Sequence, residues 1–129
     1  MIDLPNGRVI VEPNEMAELP NGTVVLRRLR TGSKRSDEYD RLEYALYHLA
    51  GRKKFRKGFA VEAVHLADGI VESVTITEKK LGSRQSKSDA MLQKILAGQF
   101  PTAVDAVTCP RCPHFFLCPA LPPGPLKLT

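Results

Sequence analysis

Thr23-Val24-Val25-Leu26-Arg27-Arg28-Leu29-Arg30 is the stretch on which the fold reading turns. Its β-branched and leucine residues mark a strand, and its second half adds three arginines. Leu19-Pro20-Asn21-Gly22 stands immediately before it and reads as a turn, because Asn-Gly accepts positive φ at both central positions. Upstream, residues 7–11 form a short apolar run (Val9, Ile10, Val11) that Pro13-Asn14 interrupts. The two runs are expected to pair as a hairpin, which Thr31-Gly32-Ser33 closes.

Working downstream, residues 36–58 read as a helix with Ser36 as N-cap and Asp37 and Glu38 at the positive end of its dipole. Leu42, Ala45, Leu46, Leu49 and Ala50 recur at helical spacing and predict its buried face. The basic run from Arg52 to Lys57 suits the helix C-terminus, and Gly58 ends it. Residues 59–66 predict a strand, Ala67-Asp68-Gly69 a turn, and residues 70–77 the next strand. A second helix is expected over residues 86–97, with Met91, Leu92, Ile95 and Leu96 inward and Gly98 as its stop. The order ββαββα is an α/β arrangement with one helical crossover between strands. Residues 1–104 are read as an α/β core, and 105–129 as a Cys-rich knuckle and tail of the same domain.

A chain of 129 residues with 43% hydrophobic and 26% charged residues is of a size and composition to bury a core. No apolar run approaches the length that spans a bilayer, so no membrane partner is expected. The opening Met1-Ile2-Asp3-Leu4-Pro5-Asn6-Gly7 lacks a basic-then-apolar leader pattern, and the expectation is a cytoplasmic protein. The net charge of +5 suits a polyanionic partner.

All three cysteines fall in Cys109-Pro110-Arg111-Cys112-Pro113-His114-Phe115-Phe116-Leu117-Cys118. Two thiolates separated by two residues can hold one soft metal, and Cys118 adds a third. His114 is the candidate fourth ligand of a zinc site; a residue from another segment or chain is the alternative, and packing as small hydrophobes is the competing reading. His48 and His65 are read as packing or surface residues.

Four stretches together resemble the RecB-like PD-(D/E)XK nuclease domains joined to UvrD/AddAB-type helicases. Residues 19–25 resemble the turn between the family's first core strands. Arg28-Leu29-Arg30-Thr31-Gly32 stands where the family has Asp-Tyr-Lys-Thr-Gly. Glu43-Tyr44-Ala45-Leu46-Tyr47 resembles its Gln-x-x-x-Tyr helix motif. Cys109, Cys112 and Cys118 match the last three cysteines of its iron–sulfur version. The resemblance implies a restriction-endonuclease-like mixed sheet with a flanking crossover helix, a second helix and a Cys-rich tail. It also implies an iron–sulfur cluster or zinc on an incomplete ligand set.

Departures from the family pattern fall on the catalytic positions. The metal-holding Asp falls at Asn14, the second acid at Arg28, the Lys at Arg30 and the Gln at Glu43; Tyr47 is retained. Nuclease chemistry needs carboxylates to hold Mg²⁺ against a phosphate, and a guanidinium at 28 repels that cation. The resemblance thus implies a degenerate, non-catalytic site without Mg²⁺, serving DNA binding and scaffolding beside a helicase motor or partner subunit in DNA repair. Alternation along a strand sets Arg28 and Arg30 on one face, where they can hold a phosphate with Lys34 and Arg35 following in the next loop. A solvated sheet edge is the competing reading of these cations. Two other functional readings stand beside this one. One is an active metal-dependent DNA exonuclease using Glu12, Glu15 or Glu43. The other is a zinc or iron–sulfur interaction module.

Overall fold

The structure is a computed structural model that describes residues 1–32, 34–56, 58–99, 109–113 and 117. The chain falls into two compact units, Met1–Lys94 and Ile95–Thr129. In the first unit, β1 (Ile2–Leu4) and β2 (Gly7–Val9) form an antiparallel pair, and β3 (Glu15–Glu18), β4 (Val24–Arg30), β5 (Phe59–His65) and β6 (Ile70–Ser73) form a sheet in the order β3-β4-β5-β6. Helix α1 (Leu42–Lys54) connects β4 to β5, and α2 (Glu78–Leu96) follows β6. The described residues are therefore α/β, with a mixed sheet and two α-helices.

The strand at 24–30 is central, as its composition predicts. It pairs antiparallel with β3 and parallel with β5, in register from Val24↔Phe59 to Arg30↔His65. A parallel neighbour requires a long crossover, and α1 supplies it. The hairpin partner differs from the expectation. Residues 15–18 pair with β4, while 7–9 pair with 2–4. The polar Glu15-Met16-Ala17-Glu18 hides this strand from a hydrophobicity reading, since it lies at a sheet edge with one neighbour. In the connecting turn, Gly22 alone takes positive φ (+84°), and Asn21 instead accepts a 2.9 Å hydrogen bond from the Thr23 amide.

Helix α1 begins at Leu42, not Ser36, because residues 38–40 form a separate 3-10 turn. Arg41 holds the N-cap position without a side-chain cap, and the helix ends at Lys54, before Gly58. Its buried residues are Tyr44, Ala45, Tyr47 and Gly51, a face rotated from the predicted one because two tyrosines bury more area than the leucines. Tyr44 and Tyr47 pack with Leu26, Val61, Ala63 and Val74 as the core between helix and sheet.

The second helix starts eight residues before the expected 86 and turns another face inward. Leu81 and Ser88 are buried, whereas Met91, Ile95 and Leu96 are exposed. Ser88 sits seven residues after Leu81, and its hydroxyl donates to the Arg84 carbonyl at 3.0 Å. A seryl group satisfied within its own helix can be buried at little cost, which is why the apolar pattern mispredicts this face. Val71 and Ile70, expected in a strand reaching Thr77, belong to a β6 that stops at Ser73. Among the described residues, no helix is long and apolar enough to cross a membrane.

Candidate functional site

A cleft of about 430 Å³ opens between β4 and the start of α1, lined by Glu12, Asn14, Arg28, Arg30, Glu43 and Tyr47 together with apolar neighbours. These include all five positions at which the sequence departs from, or retains, the nuclease pattern, plus Glu12. They come together by topology. Arg28 and Arg30 leave β4 on the face that Leu26 uses for the core, Glu43 and Tyr47 lie one helical turn apart, and Asn14 precedes β3.

Asn14 is committed to the backbone. Its side-chain oxygen accepts a 2.9 Å hydrogen bond from the Leu29 amide, beyond the point where β3 pairs with β4. Tyr47 directs its hydroxyl at the Glu12 carbonyl, 3.5 Å away, and burial raises its pKa above the ordinary tyrosine value.

The two cleft arginines sit in different electrostatic settings. Arg28 is 14% exposed, with Nη2 3.0 Å from Oε1 of Glu43, which is 42% exposed. Arg30 is 28% exposed, with Nε 3.0 Å from Oε1 of Glu38, which is 2% exposed. Glu43 keeps access to water and is resolvated when it leaves Arg28, whereas separating a partner from a buried carboxylate costs roughly 3–5 kcal/mol. Arg28 is therefore the guanidinium whose partner is readily exchanged. Its Nε has no hydrogen-bond acceptor among the described residues although it is buried, and its guanidinium carbon stacks 5.7 Å from the Tyr44 ring centre.

Glu38 is the residue that sequence reasoning missed. It appeared there only as a dipole-favouring acid, yet it collects Arg30, Arg41 at 3.6 Å and the Tyr44 hydroxyl, which donates at 2.8 Å. Burial, then the neighbouring Glu38, holds the Tyr44 hydroxyl protonated well beyond the ordinary tyrosine range. Nothing in local spacing marks Glu38 as buried; its position follows from the 3-10 turn folding back on α1.

Lys34 and Arg35, expected to extend the cationic surface, are not among the cleft's lining residues. Lys34 pairs with Glu72 at 2.9 Å and lies 4.9 Å over the Tyr39 ring, and Arg35 pairs with Asp37 at 3.2 Å. A neighbouring cleft of about 550 Å³ is mainly apolar, lined by Val11, Pro13, Met16, Leu26 and Phe55 among others.

Among the described residues, no group of three or more His, Cys, Asp and Glu is placed to hold a metal ion. Of the cysteine knuckle, Cys118 and His114 lie outside the described residues. Cys109 begins a 3-10 turn whose third residue is Arg111, and the Cys112 amide donates to the Cys109 carbonyl at 3.0 Å. His48 sets Nε2 2.9 Å from the Val74 carbonyl, and His65 is buried in β5 with neither ring nitrogen hydrogen-bonded among the described residues. Both lie within the fold, in line with packing roles.

Comparison of the chain with protein-family models, curated proteins and solved structures finds no match.

Proposed function

We propose that this chain is a non-catalytic DNA-binding and scaffolding domain of degenerate RecB-like, restriction-endonuclease-like kind. It acts beside a UvrD/RecB-type helicase motor or a partner subunit in DNA repair. The observation that carries the reading is Arg28. It lines the cleft, and its partner Glu43 is half-exposed. A DNA phosphate entering the cleft offers the outer nitrogens of that guanidinium, where Nη2 now meets Glu43, a bidentate contact. Arg30 adds positive potential behind it while Glu38 fixes its position.

The same geometry argues against two-metal hydrolysis at this cleft. Glu12 and Glu43 are its carboxylates, Glu43 faces Arg28, and Asn14 is engaged by the Leu29 amide. Cutting would require a divalent cation to sit against a guanidinium. In this reading Cys109, Cys112, Cys118 and His114 would hold zinc, or the cysteines an iron–sulfur cluster completed from elsewhere, as a structural clasp.

Incubating the purified chain with duplex and single-stranded DNA in Mg²⁺, in Mn²⁺ and in chelator tests this. The expected result is salt-sensitive binding that persists in chelator, and no strand cleavage in any of the three. Divalent-dependent cleavage would establish the exonuclease reading instead.

A further inference from the structure

Among the described residues, Glu43 has two cations within reach. It lies 3.0 Å from Arg28 and 4.0 Å from Nη1 of Arg41. It is also the second residue of α1, where the unpaired amides and the helix dipole favour a negative charge. A carboxylate leaving Arg28 is therefore not stranded, because Arg41, the helix end and water all receive it. Arg41 already faces Glu43 through Nη1, while its Nε lies on the other side, 3.6 Å from Glu38.

We infer that Glu43 is a built-in competitor for the anion site. It occupies Arg28 while the cleft is free and swings toward Arg41 when a DNA phosphate binds. This rests on the DNA-binding reading above and adds a regulatory element to it. The exchange sets a threshold: weak anions do not displace Glu43, and a phosphate held by further backbone contacts does. Arg30 takes no part in the exchange, because its partner Glu38 is buried and also bound by Tyr44 and Arg41.

The test is fluorescence anisotropy of a short labelled DNA duplex titrated with wild type, Glu43→Gln, Glu43→Ala, Arg41→Gln and the Arg41→Gln/Glu43→Gln double variant. Thermal melts confirm that each is folded. Removing the competing carboxylate is expected to tighten binding about fivefold, the scale of one ion pair with a half-exposed partner. Arg41→Gln is expected to weaken binding more in the wild-type background than in Glu43→Gln. Salt-sensitive wild-type binding that neither Glu43 variant tightens, or an equal Arg41→Gln loss in both backgrounds, overturns the exchange and leaves the DNA-binding reading standing. Absence of salt-sensitive binding in every variant overturns both.

Discussion

Arg30 meets Glu38 at 3.0 Å across the gap between the end of β4 and the 3-10 turn before α1, and Glu38 is almost wholly cut off from solvent. A buried carboxylate persists only when its charge is answered, and here two guanidiniums and a phenol answer it. This contact ties the cationic end of β4 to the helix that completes the cleft, so the cleft's geometry depends on it.

Glu38→Gln is expected to destabilise the fold by roughly 2–3 kcal/mol, the range for a charge-assisted hydrogen bond lost at a buried site. Arg30 keeps some solvent exposure, which holds the loss below that of a fully buried pair. Chemical denaturation of wild type and variant checks this; a change below about 0.5 kcal/mol would show that Glu38 does not organise the turn.

Gly51 lies in α1 against Phe59 of β5. A Cβ built there falls 2.7 Å from Cγ of Phe59 and nearer still to the ring edge. Helix propensity alone favours Gly51→Ala by about 1 kcal/mol, but overpacking costs typically 1–3 kcal/mol. The expected net result is destabilisation, relieved when Phe59→Leu is introduced with it. Melting curves of the single and double variants measure the coupling.

Asn6, in the turn between β1 and β2, is clamped by Asp89 of α2. Its amide donates to Oδ1 at 2.8 Å and its side-chain Nδ2 to Oδ2 at 2.7 Å. Asp89→Ala removes both acceptors and is expected to cost roughly 1–3 kcal/mol. Hydrogen exchange should then speed up in residues 2–9 before it does in β4 and β5.

His48 has its pKa lowered below the ordinary 6.5, chiefly by burial, with the Val74 carbonyl opposing and Arg52 assisting. The folded state thus binds its proton less readily than the unfolded chain. Stability from this group is complete above pH 6.5 and falls as the pH drops through that value toward the lower folded-state pKa, below which the loss is full. Melting temperatures taken from about pH 7.5 down to about pH 5.5 should decline more steeply for wild type than for His48→Gln. Equal slopes would count against a buried, neutral His48.

The central strand, the crossover helix, the strand after it and the α/β class were legible because they depend on β-branched runs and on one long connection. Residues 23–30 and 59–66 are read correctly to within a residue or two. The strand at 15–18 was not legible, since an edge strand needs no hydrophobic alternation and Glu15 and Glu18 are exposed there. The face of α2 was misread for a related reason, because Ser88 is buried where Met91 was expected. At the site, positions 14, 28, 30, 43 and 47 could be listed from the sequence, and one cleft gathers them. What spacing could not disclose is the pairing: that Arg30 has a buried partner in Glu38 and Arg28 an exchangeable one in Glu43 is decided by a 3-10 turn that local propensity does not mark.

The most direct measurement is the dependence of DNA affinity on salt concentration for wild type and Arg28→Gln, compared at several ionic strengths. If Arg28 neutralises a backbone phosphate, its loss weakens binding across DNA sequences and lowers the slope of log K against log salt by about one. An unchanged slope and affinity in a folded Arg28→Gln protein would contradict the assignment of this cleft to DNA.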